Sequence, residues 1–246
     1  METDRTRYYA LDDIRGITLI SMIFYHAMWD IVFILGKDIK WYNEAPGYIW
    51  QQSIGWTFIL LSGFCWQLGR HRLKRSITVF MAGLLVTAVT LLVMPQNRVI
   101  FGVLTFIGSA MLIMIPFDKF LRKCKAGVGL ALSLALFFIS RDINSGWIGF
   151  ESIRLVKVPQ FFYDNLFTTY LGFPNRGFFS TDYYSLFPWL FLFMAGYFLY
   201  NILEKSGFLK SLSKSIFPGV GILGRFSLII YMVHQPLIYL VILMRS

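Results

Sequence analysis

The chain has 246 residues, of which 57% are hydrophobic and 18% aromatic, and its mean hydropathy is +0.61. This composition excludes an ordinary soluble domain and is typical of a polytopic membrane protein embedded in a lipid bilayer. The formal net charge of +10 is distributed in short segments between apolar runs, which indicates membrane topology, so we expect no nucleic-acid partner. The cysteines Cys65 and Cys124 form no disulfide or zinc pattern, and we expect no metal site.

The apolar runs predict an all-α polytopic membrane protein with about seven transmembrane helices, in a single domain over residues 1–246. The predicted spans cover residues 12–35, 48–69, 76–94, 99–117, 126–140, 184–203 and 224–244. Lysine and arginine concentrate before the first span and after the second, fourth and sixth. This asymmetry predicts a cytoplasmic N-terminus and an extracytoplasmic C-terminus.

A long connection, residues 141–183, separates the fifth predicted span from the sixth and should be extracytoplasmic. Its length and aromatic content favour a lid or a set of interfacial helices over the outer mouth, and a re-entrant segment is an open alternative. Asp182 stands near its end, just before the sixth span. Its carboxylate suits either acceptor binding or stabilisation of that span's N-terminus, and the two interpretations have equal weight.

The first predicted span carries four ionisable residues on one helical face: Asp12, Arg15, His26 and Asp30. At about 100° per residue, Arg15 and His26 lie within roughly 20° of each other. His26 falls about 18 Å along the helix, near the middle of a hydrocarbon core of roughly 30 Å. Ionisable groups at that depth usually mark a pathway or a reaction site, which we favour over a structural hydrogen bond to a neighbouring helix.

The last predicted span repeats this pattern, because helical spacing places Ser227, Tyr231 and His234 on one face. His234 also lies near mid-membrane, so the two interior histidines can meet at similar depth. Pro236 removes one backbone hydrogen bond and should kink the helix beside His234. An equally weighted alternative is that His234 and Gln235 form hydrogen bonds that only hold the kink.

Asp12-x-x-Arg15-Gly16, followed by His26, resembles the opening helix of the transmembrane acyltransferase superfamily. The nearest resemblance is to small bacterial proteins of the heparan-alpha-glucosaminide N-acetyltransferase-like group. Further similar stretches occur in the same order along the chain: Phe58 to Phe64, Arg70 to Arg75, Asp182 to Trp189, Gly196, and Ser227 to Pro236. The resemblance implies an integral protein of the bacterial cell membrane, without implying the animal enzyme's substrate.

The resemblance further implies transfer of an acyl group, by default acetyl, from cytoplasmic acetyl-CoA to a sugar, amino-sugar or glycan acceptor. The expected donor-binding residues are Arg15, Arg70, Arg72, Lys74 and Arg75, whose positive charges suit a phosphorylated donor. Each of them can equally be a basic residue that only determines membrane topology. His26 is the expected general base or acyl carrier, with Asp30 orienting its imidazole. His234 is the expected oxyanion donor, with Tyr231 and Ser227 as alternatives. The expected acceptor-binding residues are Asp182, Tyr183, Trp189 and Tyr231.

Two other classes of function remain open from the residues. Interior histidines and a proline-kinked helix also suit a proton-coupled transporter, although the chain has no internal repeat of the kind that transporters use. The basic loops also suit a non-catalytic module on anionic lipid headgroups. The lipid bilayer is a partner in every case, and a homo-oligomer is compatible with the apolar surfaces.

Overall fold

The computed structural model describes residues 7–151 and 153–244. The α-helices of these residues are α1 (Tyr9–Phe33), α2 (Lys40–Asn43), α3 (Ala45–Trp66), α4 (Arg72–Val93), α5 (Val103–Leu121), α6 (Ala126–Ile139), α7 (Leu166–Leu171), α8 (Trp189–Lys205), α9 (Pro218–Arg225) and α10 (Ser227–Leu243). The strands are β1 (Trp147–Phe150) and β2 (Ile153–Lys157), and short 3₁₀ turns occupy Pro95–Asn97, Ile143–Ser145, Gln160–Tyr163 and Phe208–Ser213. The predicted locations of the two chain termini concern Met1 and Ser246, which lie outside the described residues.

Four of the described helical segments are long and apolar enough to cross a membrane: α1, α4, α5, and α6 continued to Ser145. The pair α9–α10 makes a fifth if it is counted as one span with a bend of 85°. The chain is therefore an integral membrane protein of the helical class. Every predicted span coincides with a helix or with the bent pair, but α8 has only 17 residues and Gln51 and Gln52 lower the hydropathy of α3. The count of seven stays a prediction.

The coordinates divide into two compact units. The terminal unit comprises the described residues within 1–58 and 203–246, and the central unit comprises those within 59–202. The terminal unit holds α1, α2, α9, α10 and the beginning of α3, whereas the central unit holds α4 to α7, the hairpin and most of α8.

In the terminal unit, α1 packs closely against α9 because glycines occupy the contact. A Cβ at Gly16 would overlap the carbonyl oxygen of Val220, and a Cβ at Gly224 would overlap that of Asp12. Small residues allow such backbone contact between membrane helices. Farther along α1, Leu19 and Met22 form an apolar cluster with Ile54 at the start of α3, and side chains from α10 pack on this cluster.

In the central unit, glycines also allow close backbone contact in two pairs of helices. α3 meets α8 where Gly63 faces the Phe193 carbonyl oxygen and Gly196 faces that of Leu60. α4 meets α5 through Gly83 and Gly108, each of which faces backbone atoms of the partner helix. Any larger side chain at these glycines would push the paired helices apart.

The connection at residues 141–183 contains a small antiparallel hairpin that the sequence analysis did not predict. Trp147 pairs with Lys157, and the register shifts between Ile148 and Gly149. The short helix α7 follows, and its N-terminus is capped by Asn165, whose side chain accepts from the Thr168 N–H at 2.9 Å. The expected interfacial helices are thus reduced to one helix of 6 residues beside a hairpin and 3₁₀ turns.

The last span contains a sharp bend that the sequence did not predict. α10 continues from Ser227 to Leu243 through Pro236, and the kink expected at this proline stays a prediction. The bend of 85° lies between α9 and α10, where Phe226 leaves helical geometry. A proline removes only one backbone donor from a helix, which a membrane helix tolerates, whereas the chain at Phe226 leaves the helical conformation itself.

Candidate functional site

Two histidine rings meet inside the terminal unit. The centroid of the His26 ring in α1 lies 4.9 Å from that of His234 in α10, with 59° between the ring planes. His234 is only 6% exposed, and His26 is half-buried. The prediction that the two interior histidines meet is confirmed.

A buried carboxylate lies in the same cluster, and its recorded hydrogen bond is to a residue other than His26. Asp30 is fully buried, and its Oδ1 accepts a hydrogen bond of 2.8 Å from Gln235 Nε2. Within residues 7–151 and 153–244 the structure records no hydrogen bond between Asp30 and His26. The Asp30 side chain instead forms its hydrogen bond with a residue of α10, the helix that packs against α1. Gln235 is therefore a member of this site that sequence reasoning had given only a structural role.

The hydrogen bond made by His234 defines the chemistry of its ring. Its Nδ1 lies 2.5 Å from the Tyr231 carbonyl oxygen, which can only accept, so Nδ1 carries the proton. In the neutral ring, Nε2 is then a lone-pair acceptor. This is the arrangement in which the more distant ring nitrogen works as a base.

Three buried polar atoms of the cluster lack a hydrogen-bond partner in the described chain. They are Asp30 Oδ2, His234 Nε2 and Gln235 Oε1. Buried polar groups are nearly always paired, so this concentration in one place marks a position for a polar group from outside the chain. The unpaired amide oxygen and imidazole nitrogen both require a donor such as a hydroxyl, an amine or water. We name this set, with His26, the histidine cluster.

Aromatic side chains enclose the histidine cluster within the terminal unit. Tyr25 contacts His26 edge-on at a centroid distance of 6.0 Å, and the Tyr231 ring lies 5.4 Å from the His234 ring. The hydroxyl of Tyr42 donates to the Tyr25 carbonyl oxygen at 3.1 Å, which fixes this wall. Such surroundings exclude water and strengthen the electrostatic interactions of any polar group that enters.

Asp12 and Asp13, at the start of α1, have different partners. Asp12 binds Arg15 at 3.0 Å and Arg7 at 2.9 Å, and Arg225 approaches to 3.8 Å. Arg15, which we expected to bind the donor, is paired with Asp12 in the structure. Three arginines thus surround one aspartate, so this group of side chains has a net positive charge. The sequence did not predict that Arg7 and Arg225 would approach Asp12.

Asp13 is 2% exposed and binds the chain just before α9. Its Oδ2 accepts from the backbone N–H of Ile216 at 2.7 Å and of Phe217 at 3.1 Å, and the Ser215 hydroxyl donates to the same carboxylate. The carboxylate thereby fixes the segment that leads into α9 on the start of α1.

The predicted donor-binding segment, residues 70–75, belongs to the central unit and is only partly free to bind a ligand. Arg72 donates to Asp118 at 2.9 Å and covers the Trp66 ring at 4.1 Å, so its guanidinium is engaged inside the protein. Arg70 and Lys74 are exposed and form no ion pair with the described residues. The guanidinium of Arg75 lies against Gly69, where a Cβ would overlap it. An anionic donor therefore fits Arg70 and Lys74 better than Arg72.

Asp118 is the centre of a network that the sequence did not reveal. Besides Arg72 it binds Arg122 at 2.9 Å, and its Oδ1 accepts from the buried Tyr197 hydroxyl at 2.7 Å. The hydrogen bond to Asp118 raises the pKa of Arg122, which lies just beyond α5. Three helices, α4, α5 and α8, are joined by this carboxylate.

The predicted acceptor-binding residues of the central unit have structural contacts. Asp182 Oδ2 accepts from the Val103 N–H at 3.0 Å, so it caps α5 rather than the span that follows it in sequence. The Tyr183 hydroxyl donates to the Thr169 carbonyl oxygen at 2.5 Å. Trp189 is 4% exposed and packs against Phe137. Tyr231, the fourth predicted residue, lies beside His234 in the terminal unit.

These features define a helical integral membrane protein with paired imidazoles and a carboxylate buried between its first and last helices. The family model described as heparan-alpha-glucosaminide N-acetyltransferase, catalytic, matches residues 7–236. The chain belongs to this family and is an acetyltransferase-type membrane enzyme, which confirms the resemblance seen in the sequence. No curated protein sequence and no solved structure matches the chain.

Proposed function

We propose that this protein transfers an acetyl group from cytoplasmic acetyl-CoA to a sugar or amino-sugar acceptor at or across the membrane. The observation that supports this most strongly is the contact between His26 and His234 beside the Asp30–Gln235 hydrogen bond. A family of acetyltransferases needs a base and a water-poor site, and the histidine cluster offers both.

Acetyl-CoA supplies an acetyl group activated as a thioester. His26 takes the proton from the acceptor hydroxyl or amine as that group attacks the carbonyl carbon, and it returns the proton to the departing thiolate. In the variant mechanism, a nitrogen of His26 carries the acetyl group before the acceptor receives it. His234 holds its Nδ1 proton on the Tyr231 carbonyl oxygen, which leaves Nε2 to accept a hydrogen bond from the acceptor while His26 takes the proton.

The remaining residues have supporting roles in this proposal. In the central unit, Arg70 and Lys74 bind the donor's phosphates, as exposed cations without an ion pair among the described residues, and Arg75 adds positive charge. Arg72 supports this segment through Asp118. In the terminal unit, Arg15 is a further proposed donor-binding residue. Tyr231 contacts the acceptor next to His234, while Asp182, Tyr183 and Trp189 order the segment through which the acceptor arrives.

We also propose seven membrane crossings, formed by α1, α3, α4, α5, α6, α8 and the bent pair α9–α10. At 1.5 Å per residue, the 22 residues of α3 span about 33 Å and the 17 of α8 about 26 Å, which approaches the hydrocarbon thickness. The distribution of basic residues supports a cytoplasmic N-terminus and an extracytoplasmic C-terminus. The family resemblance supports a bacterial plasma membrane. The whole chain forms one transmembrane acyltransferase domain.

The test is acetyl transfer in membranes that contain the full-length protein, with radiolabelled acetyl-CoA and a panel of amino sugars and glycans. His26→Ala should abolish transfer while expression and the apparent melting temperature stay near wild type. The control is Lys125→Gln, which removes an exposed side chain outside the proposed catalytic and donor-binding residues and should leave transfer unchanged. Unchanged turnover in His26→Ala would refute the assigned role.

A proton-coupled transporter is the second candidate, favoured by the unpaired polar atoms in a buried site that contains two histidines. Proteoliposomes carrying a pH-sensitive dye distinguish the two. Substrate-dependent proton flux without any acyl donor, lost in His26→Ala, would favour transport. Stabilisation of the purified protein by acetyl-CoA, but not by acetate or a pH step, would favour the enzyme.

A further inference from the structure

A cavity of about 280 Å³ lies in the 141–183 connection, entirely within the central unit. Its walls come from the two strands of the hairpin, the 3₁₀ turns on either side and the chain that follows α7. Its volume lies just below the range of roughly 300–1,000 Å³ that is typical of small-molecule sites, which limits an occupant to about one sugar-sized ring. No residue of the histidine cluster belongs to it.

Hydrogen bonds hold the walls of this cavity in place. Tyr163 donates to the Ile143 carbonyl oxygen at 2.6 Å, and burial raises the pKa of Tyr163 to about 12, so its hydroxyl remains a donor. Asn144 Nδ2 donates to the Gly172 carbonyl oxygen at 2.8 Å and to the Ser185 hydroxyl at 2.9 Å. A preorganised cavity loses little free energy on binding a ligand.

The charged side chains that line the cavity have no internal ion pair. Lys157 and Arg176 are both exposed, and neither lies within 4.0 Å of a carboxylate in the part of the chain that the structure describes. Arg176 donates through one terminal nitrogen to Gln160 Oε1 at 2.6 Å, which fixes its position and leaves other N–H groups for a ligand. Asp164 is the acidic residue of the lining, so the charges sum to +1 and favour an anion.

The remaining lining is typical of sugar recognition. Trp147 and Tyr163 provide ring faces against which the C–H face of a sugar can pack, and both also carry a polar group. Asp164 and Gln160 provide acceptors for hydroxyl groups at the edge of such a ring. An inorganic anion would use the two cations but none of these.

We propose that this cavity binds one sugar unit that carries a single anionic group, a carboxylate or a phosphate. Arg176 and Lys157 bind the anionic group, Trp147 packs against the ring, and Asp164 accepts from its hydroxyls. The site gives the acceptor a second point of attachment away from the histidine cluster, a role that rests on the proposed function. Binding of the sugar itself does not require acetyl transfer.

Ligand binding is measured on the full-length protein in lipid nanodiscs, without acetyl-CoA, by titration with glucuronate, glucose 6-phosphate, glucose and inorganic phosphate. At least one of the two acidic sugars should bind about tenfold more tightly than both glucose and phosphate, because it uses charged and ring contacts together. The sugar that does so identifies the anionic group. Binding of neither acidic sugar, or equal binding of glucose or of phosphate, would overturn the proposal.

Substitutions of the cavity residues test whether the sugar binds in this cavity. Arg176→Gln and Lys157→Gln should each weaken it by about tenfold, through loss of a charge-assisted contact, while the melting temperature stays unchanged. Lys125→Gln removes an exposed cation of the same unit that does not line the cavity and should bind like wild type. His26→Ala should also bind like wild type, so a failure of the catalytic proposal is separable from this one. Unchanged affinity in both cavity variants would place the sugar elsewhere and refute the inference.

Discussion

The substitution Arg72→Gln distinguishes a structural role of Arg72 from a role in donor binding, because the two roles predict different effects on stability and on the KM for acetyl-CoA. The substitution removes a hydrogen bond to Asp118, whose side chain is 12% exposed, and the contact with the Trp66 ring. A hydrogen bond to a charged group contributes about 1.5–3 kcal/mol. The lower end applies here because Asp118 keeps Arg122 and Tyr197. The contact between a partly exposed guanidinium and Trp66 adds about 0.5–1 kcal/mol.

The expected loss is therefore about 2 kcal/mol, which corresponds to a decrease of about 4–8 °C in melting temperature for a chain of this size. The measurement is a thermal melt of the detergent-purified protein followed by tryptophan fluorescence, alongside the KM for acetyl-CoA. Lys74→Gln is the matched control: Lys74 is exposed and unpaired among the described residues, so its loss should raise the KM without changing the melt. Wild-type stability of Arg72→Gln together with a raised KM would refute the structural assignment.

Three further substitutions test other contacts. Gly196→Val should lower stability by about 1–3 kcal/mol in the same melt, because its Cβ would overlap the Leu60 carbonyl oxygen, whereas Gly127→Ala, with open space around it, should not. Asp182→Ala should lower the free energy of unfolding by about 1 kcal/mol because it removes the cap of α5, whereas Asp182→Asn should keep the cap and the stability. A raised KM for the acceptor in a stable Asp182→Asn protein would show that the charge also serves acceptor binding. Gln235→Leu leaves the fully buried Asp30 without its donor, so transfer should fall at least about tenfold, and full activity in this variant would remove the Asp30–Gln235 pair from the proposed site.

The features that the sequence predicted correctly depend on local periodicity. Helical spacing brings Asp12 and Arg15 to one face, and the positions of His26 and His234 along their helices follow from counting residues. Both relations hold within a single helix, so no knowledge of the tertiary structure was needed to state them. The contact between the two histidine rings then required only that the first and last helices be neighbours.

The side-chain contacts that were predicted wrongly or not predicted depend on how each helix is rotated relative to its neighbours. Asp30 lies one turn from His26, yet its partner is Gln235, a residue distant in sequence. Asp118 gave no signal because its partners Arg72 and Tyr197 come from separate helices. The hairpin was missed because β1 and β2 together cover only nine positions (4 and 5 residues) without a strong alternating pattern.

The motif behind the family resemblance is also the joint that positions the histidines. Asp13 binds the backbone just before α9, Gly16 admits the Val220 carbonyl oxygen, and Gly224 admits that of Asp12, so α9 is fixed on the first turns of α1. Because α10 continues from α9 through the bend at Phe226, the placement of α9 determines where α10 begins. His234 and Gln235 then reach His26 and Asp30 farther along the same α1. The acidic pair and its glycine therefore help to set the distance between the two imidazoles on which the proposed reaction depends, and Arg15 on the adjacent turn is paired with Asp12.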